Sequence, residues 1–369
     1  MSSKLTADNI LERYGHARAL MPFLIRKPLG HFFYITSKCN LNCDYCWQRE
    51  LPGKDSENSR ADRKELSGKE WINIIKSVPK LSFIGITGGE PLLHPDFKEI
   101  IKQLSGRVSY TLNTNGILLS DDIIESLIKS KASNISISLD GFSNVHDVSR
   151  KRSGLFDLIV ERIERLNFHK KKNGSRKPTL TVKTVLLDPL VDQIGEFYQF
   201  CDKVLGADCL NISLMKTTEH AQYDFRVYEN MSDIKNIGAP ECYAYEKSNK
   251  IPGALEYLLG LSKRGKCKVL LYPKMGGKTA ADLLLKSKGK EVFDSCHIPW
   301  ALVVILSDGS VIPCLSLRVA NIRDLNYDVK QISKSLRYYN FLKWRDGMNK
   351  GGKSPAECNM CCFSRVKVV

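Results

Sequence analysis

Phe32-Phe-Tyr-Ile-Thr36 is a run of bulky, partly β-branched residues that reads as a strand. Two residues later the chain continues as Cys39-Asn-Leu-Asn-Cys43-Asp-Tyr-Cys46. A strand opening directly onto three closely spaced thiols marks both the start of the fold and the place where chemistry belongs. The same strand type returns at Ser82–Thr87, Val108–Asn113, Asn134–Leu139, Thr179–Leu187 and Cys209–Leu214. Between these runs lie helical stretches at Trp71–Val78, Asp96–Leu104, Asp121–Lys129 and Val191–Leu205. A longer one carries Phe156, Ile159, Ile163 and Leu166 at the 3.6-residue period of an amphipathic helix. Strand and helix alternating about six times predict an α/β fold with a parallel sheet and right-handed crossovers. Six units fall short of the eight that close a full barrel, so the expected architecture is a partial (β/α)6 barrel. Its chemistry belongs at the C-terminal ends of the strands, where the three cysteines fall.

Outward from this core the alternation fades. Residues 1–30 form an N-terminal extension with a helix-like stretch, Asn9–Met21, and a Pro28–Gly30 break. Residues 31–215 carry the barrel pattern. Residues 216–295 hold weaker helices (Gly253–Lys263, Lys278–Lys288) between Gly- and Lys-rich loops, a connecting or substrate region. Residues 296–369 read as a small domain: strands Ala301–Leu306 and Ser310–Pro313 around the turn Ser307-Asp308-Gly309, a helix over Val329–Asp346, and a Cys-rich tail.

Of the 369 residues 43% are hydrophobic and 26% charged, which excludes long disorder. No apolar run reaches membrane-spanning length, and the N-terminus lacks a secretory h-region, so a cytoplasmic protein is expected and no membrane partner. The formal charge of +16 would steer acidic partners towards the surface. The basic residues are dispersed, however, and the one dense patch, residues 169–177, reads as a solvated helix end without interleaved aromatics. No nucleic-acid partner is expected.

Twelve cysteines without a secretory context point to metal binding. Three soft ligands in one polar loop suit three irons of a cubane cluster, leaving the fourth iron for a small molecule. A zinc site is the competing reading, although structural zinc takes four ligands. Three inert core cysteines would be odd beside Asn40, Asn42 and Asp44.

At this point the sequence resembles the radical S-adenosylmethionine (SAM) superfamily, whose signature is CxxxCxxC with an aromatic residue, here Tyr45, before the last cysteine. Thr87-Gly88-Gly89-Glu90-Pro91 is similar to the family's GGEP motif. Asn113-Thr114-Asn115-Gly116 is similar to its strand-ending TNG element. Ser138-Leu139-Asp140-Gly141, followed by His146-Asp147 and Arg150, is similar to its SLDG…HD..R segment. The resemblance covers roughly residues 30–215. It implies a [4Fe–4S] cluster on Cys39, Cys43 and Cys46, with SAM contacted by Tyr45, Gly88, Gly89, Glu90, Asn115, Ser138 and Arg150. Glu90 would meet the amino group, Ser138 the ribose or carboxylate side, and Arg150 the carboxylate, a job that Arg152 could also take. The implied activity is reductive cleavage of SAM to a 5′-deoxyadenosyl radical that removes hydrogen from a substrate C–H bond.

Towards the C-terminus, Cys296-His-Ile-Pro-Trp300, Cys314 and Cys358-Asn-Met-Cys361 resemble the auxiliary-cluster domain that follows many such enzymes. Only Cys362 and seven further residues remain after the CxxC, which favours the shortened, single-cluster form called twitch over the larger SPASM form. The resemblance implies a second, auxiliary [4Fe–4S] cluster on Cys296, Cys314, Cys358 and Cys361. A zinc ribbon and the exchange of Cys362 for Cys361 remain alternatives. Cys201, Cys209 and Cys267 read as core residues, and Cys242 as a loop residue.

Four-cysteine ligation would make the auxiliary cluster an electron relay for oxidation of a carbohydrate-like small molecule, as in aminocyclitol dehydrogenation. A peptide-modifying maturase is the alternative. The 38 residues before Cys39 are fewer than the ~80 of a peptide-recognition domain. Lower in order stand an RNA-modifying radical enzyme and a zinc-stabilised binding protein. A reducing partner such as flavodoxin or ferredoxin is expected. Lys183, Lys216, His220, Lys274 and His297 are candidates to approach the barrel mouth.

Overall fold

The computed structural model describes residues 28–46, 64–215, 245–273, 296–314 and 317–349. Parallel strands follow in chain order: β1 (Gly30–Tyr34), β2 (Phe83–Thr87), β3 (Ser109–Thr114), β4 (Asn134–Ser138), β5 (Thr179–Leu186), β6 (Cys209–Leu214) and β7 (Lys268–Tyr272). Then β8 (Leu302–Ile305) returns to the opposite side of β1 and pairs with it in parallel, Gly30 beside Leu302 and Phe33 beside Ile305. Two antiparallel strands, β9 (Ser310–Ile312) and β10 (Ala320–Asn321), finish that edge of a ten-stranded sheet.

Helices cover one face: α1 (Gly68–Ser77), α2 (Phe97–Leu104), α3 (Asp121–Lys129), α4 (Ser143–Ser149) and α5 (Leu155–Lys172). After β5 come α6 (Asp188–Val191) and α7 (Ile194–Gln199), then α8 (Ile251–Ser262), α9 (Ile298–Ala301), α10 (Val329–Ile332) and α11 (Leu336–Asn349). Their starts are chemically marked. Ser67 and Glu70 form a reciprocal capping box on α1, and the Ser120 hydroxyl accepts from Ile123 N at the head of α3. Among the described residues no helix is long and apolar enough to cross a membrane.

The partial barrel expected from the alternation is present, and the sheet extends further than six units. β7 lies in the stretch read as a connecting region. The C-terminal hairpin shares the barrel's sheet, with β8 beside β1. Two helices also differ. In place of one helix over 191–205, α7 runs into a π turn (Phe200–Val204) carrying Asp202, whose carboxylate accepts from Lys266 N and Cys267 N at the foot of β7. The C-terminal helix breaks after Ile332, because the Ser335 hydroxyl accepts from Tyr338 N and restarts it. The N-terminal helix and the 278–288 helix lie outside the described residues.

Strand alternation sorts the two faces. Phe33, Ile35, Ile84, Ile86, Tyr110, Leu112, Ile135, Ile137, Leu180, Val182, Leu210 and Ile212 join the helices in one buried cluster. The other face is divided. Near β8, β1 and β2 it is apolar, with Phe32, Tyr34, Phe83, Leu302 and Val304 packed together. From β3 to β6 it carries Thr111, Asn113, Asn134, Ser136, Ser138, Thr181, Lys183, Asn211 and Ser213, all at positions alternating with the core residues. Asn134 Nδ2 binds the hydroxyls of Thr179 and Thr181 there.

Candidate metal centre

The loop after β1 is held from below by the loop after β2. Ile35 N donates to Thr87 O, Gly89 N to Thr36 O at 2.8 Å, and Glu90 N to Lys38 O at 2.8 Å. These bonds require backbones in contact, and the two glycines allow it. A Cβ on Gly88 would stand 2.4 Å from Thr36 O, and one on Gly89 2.1 Å from Lys38 O. Gly88 also sits at φ +143°, where side chains are rarely tolerated. The two glycines thereby let the loop after β2 lie against the chain segment leading into Cys39.

Glu90 is fully buried, and its carboxylate accepts three internal hydrogen bonds. Oε1 accepts from Thr114 Oγ1 at 2.7 Å and Leu92 N at 3.0 Å; Oε2 accepts from Asn115 N at 2.7 Å. Burial pushes its pKa up, against the pull of these donors. Asn115 passes the connection on, its Nδ2 donating to Asn40 Oδ1 at 2.7 Å inside the cysteine loop. The GGEP and TNG segments thus converge on the thiol loop.

The far end of that loop rests on the segment after β4. Tyr45 OH donates to Asp140 Oδ2, and Arg150 Nε donates to the same oxygen at 2.7 Å. The Arg150 guanidinium lies over the Tyr45 ring, 5.8 Å from its centroid. Asp140 Oδ1 accepts from Val185 N at 2.9 Å, and Asp44 N donates to Ser149 O. Burial alone would raise the Asp140 pKa; Arg150 and its other partners outweigh it and hold the carboxyl below its usual range. His146, whose Nδ1 faces Asp140 N, is driven down to about 4 by burial.

At the entry to the loop, Glu65 Oε1 accepts from Ser37 N and Ser37 Oγ, both at 2.6 Å, and Oε2 from Thr36 Oγ1 at 3.0 Å. Burial pushes the Glu65 pKa up, and the Ser37 and Thr36 bonds more than reverse it.

Between these supports lie Cys39, exposed, Cys43, buried, and Cys46, partly buried, all free thiols. Cys46 N bonds back to Cys43 O, closing a turn. Burial pushes the Cys43 thiol up to about 11 despite nearby Arg150, so metal binding there must displace a proton. Among the described residues no three His, Cys, Asp or Glu side chains are placed to hold one ion. A mononuclear zinc site needs its thiolates to converge at about 2.3 Å on one point. A cubane needs each thiolate at a separate corner. Cys39, Cys43 and Cys46 lie near enough to feel one another's charge, and three thiols in one loop suit three corners of a cubane.

Of the C-terminal cysteines, Cys296 and Cys314 are described. Cys314 follows β9, two residues beyond Ile312, the residue opposite Val304, and Cys296 precedes α9 and β8. Cys358, Cys361, Cys362 and Cys242 lie outside the described residues, as do Lys216, His220 and Lys274. Cys201 and Cys267 are buried in the core, as read, and Cys209 is partly buried on β6. Ser138 ends β4 beside Lys183 in register. Two supporting residues were missed: Asp140 stood in the quoted SLDG segment without a role, and Glu65 had no motif around it.

Residues 33–201 match the radical SAM superfamily, and residues 296–362 match an iron–sulfur cluster-binding domain, SPASM. The chain belongs to the radical SAM superfamily and carries a C-terminal SPASM domain. It is therefore an enzyme of SAM and a [4Fe–4S] cluster, with auxiliary iron–sulfur chemistry in its C-terminal region. In sequence it is similar to the tungsten-containing aldehyde ferredoxin oxidoreductase cofactor-modifying protein of Pyrococcus furiosus, 24% identical over 56% of this chain and 57% of that protein. It is also similar to the AdoMet-dependent heme synthase of Methanosarcina barkeri, 25% identical over 90% of this chain and 88% of that protein. Several of its curated relatives are matched over about half of their own length or less. In fold it is similar to Streptococcus suis SuiB bound to precursor peptide SuiA, with a TM-score of 0.59 at 15% identity, covering 95% of this chain and 73% of that one.

Proposed function

We propose that this enzyme oxidises an unactivated C–H position of a polar substrate held on the inner face of the sheet, between two clusters. When bound, SAM and the cluster on Cys39, Cys43 and Cys46 supply a 5′-deoxyadenosyl radical, and the auxiliary cluster supplies an electron acceptor. The observation that carries this reading is the placement of the two cysteine groups. The trio follows the C-terminal end of β1, while Cys296 precedes the N-terminal end of β8, which runs parallel to β1. β1 has five residues. At about 3.3 Å per residue β1 spans roughly 17 Å, a length over which two clusters could flank a substrate.

The chain's own groups divide the work. Glu90, Asn115 and the two glycines fix the floor of the thiol loop, and Asp140 holds Tyr45 and Arg150 at its far end. Ser138 at the end of β4 and Lys183 within β5 stand side by side in register on the polar face, where a carboxylate or hydroxyl would be bound. The apolar cluster of Phe32, Tyr34, Phe83 and Val304 walls off the neighbouring part of the same face and excludes water there.

Thr, Ser and Asn side chains along β3–β6 suit a polyhydroxylated, carbohydrate-like molecule, whose dehydrogenation would pass an electron to the auxiliary cluster. A peptide substrate is the second reading, favoured by the likeness to SuiB, which is known with a precursor peptide bound. A flavodoxin- or ferredoxin-type reductant would supply the electron for SAM cleavage.

The test is anaerobic 5′-deoxyadenosine formation stimulated by cell extract, before and after protease digestion of that extract. Stimulation that survives digestion supports a small molecule; stimulation destroyed by it supports a peptide. Cys314→Ala is expected to retain SAM cleavage and lose product, and full product formation by that variant would refute the relay.

A further inference from the structure

We propose that Glu65 is a positioning residue for the SAM-binding cluster, tying the entry of the thiol loop to the turn between β8 and β9. The inference rests on the cluster being held by Cys39, Cys43 and Cys46. Three donors from Thr36 and Ser37 converge on the Glu65 carboxylate, so its side chain fixes the residues that enter Cys39. The loop has a second anchor on its underside, the Gly89 and Glu90 amides bonded to Thr36 O and Lys38 O. Glu65 closes the opposite side.

What holds Glu65 itself comes from the C-terminal region. Arg323 Nη2 donates to Lys64 O at 3.2 Å and to Glu65 O at 3.3 Å. Its Nη1 donates to Asp308 O in the β8–β9 turn, and its Nε to Glu70 Oε1 at 2.8 Å. In the next residue, Leu66 N donates to Ser307 O at 2.6 Å. Tyr327 OH adds a second bond to Glu70 at 3.0 Å. Residues 64–66 are therefore a strut, gripped on one side by the hairpin turn and Arg323, and gripping the thiol loop on the other.

The hairpin that forms the turn is followed two residues on by Cys314 and is preceded, across α9, by Cys296. A shift of that hairpin, as when an auxiliary cluster is gained or lost, would be transmitted along β8 and β9 to Ser307–Asp308, and through Glu65 to the loop of the first cluster. The coupling is mechanical and needs no electron to pass between the clusters. Groups that orient a metal's ligands without touching the metal typically govern affinity by about 10- to 100-fold.

The experiment uses the full chain, anaerobically reconstituted and reduced, and follows the EPR signal that shifts on adding SAM. That signal reports only the cluster to which SAM binds. Its decay under an iron chelator is measured for wild type, Glu65→Gln, Ser37→Ala and Arg323→Met, alongside thermal melting. Glu65→Gln is expected to lose the signal about tenfold faster than wild type, and to broaden the SAM-induced shift. Arg323→Met touches no residue of the thiol loop, and is expected to accelerate the loss several-fold through Glu65. Should Glu65→Gln fail to fold, Ser37→Ala tests the same bonds from the loop side. Wild-type decay rates in Glu65→Gln or Ser37→Ala would overturn the positioning role. A lowered melting point with a wild-type decay rate in Arg323→Met would overturn the link to the hairpin. If wild type itself gives no SAM-responsive signal, it is the assignment of the cluster site that fails.

Discussion

Gly89→Ala tests the architecture of the site most sharply, because the methyl group has nowhere to go. Its Cβ would lie 2.1 Å from Lys38 O, 2.6 Å from Lys38 C and 2.7 Å from Ser37 O, all main-chain atoms that cannot rotate away. Relief requires the 36–38 segment to lift by about 1.3 Å, from 2.1 Å to an ordinary carbon–oxygen contact. That movement breaks the bonds from Gly89 N to Thr36 O and from Glu90 N to Lys38 O. Leaving two such buried pairs unmade costs about 1–3 kcal/mol each, so the variant should lose about 2–6 kcal/mol. Urea unfolding of the metal-free protein reads this loss, and iron content after reconstitution reads the displaced thiol loop. Gly253→Ala is the control, since nothing lies within 4 Å of its Cβ in α8 and alanine favours helix by up to about 1 kcal/mol. A Gly89→Ala protein with wild-type stability and full iron would refute the reasoning.

Three further outcomes are expected. Glu90→Gln loses one acceptor among three donors and should cost about 1–3 kcal/mol in urea unfolding, with weaker SAM binding by calorimetry. Arg150→Met strands the fully buried Asp140 carboxylate and should cost about 3–5 kcal/mol, against about 1–2 kcal/mol for Tyr45→Phe, a ranking that unfolding curves check directly. For acid sensitivity, burial slightly opposes ionisation of Glu70, but Arg323, Ser67 and Tyr327 bring its pKa down to about 2. A depressed carboxylate stabilises the fold above its ordinary pKa of 4.5, and that contribution is lost as pH falls from 4.5 towards 2. The stability gap between wild type and Glu70→Gln should therefore narrow across that window. His31, held down to about 4 by burial, adds a separate loss between pH 6.5 and 4 that both proteins share.

The barrel was legible because local pattern decides it. β3, β5 and β6 fall within a residue of the runs that read as strands, since alternation on a half-buried face is a local property. The pairing of β8 with β1 was not legible, because nothing in Leu302–Ile305 says which edge it will join. Motif reading found the residues around the thiols but not the contacts they make with one another. Gly88 and Gly89 approach Thr36 and Lys38, and the Glu90 carboxylate accepts from Thr114, Asn115 and Leu92. Glu65 stands in a run of charged residues, Arg63-Lys-Glu65, that looks like any solvated stretch. Its role depends on Arg323, more than 250 residues away, and no local pattern encodes that contact.

The central claim is that two cysteine groups hold two separate clusters. The most direct test is iron and acid-labile sulfide per chain after anaerobic reconstitution, for wild type and the Cys39/Cys43/Cys46→Ala triple variant. The account predicts about eight irons falling to about four. About four falling to none would contradict it, leaving the C-terminal cysteines without a cluster and the proposed oxidation without its electron acceptor.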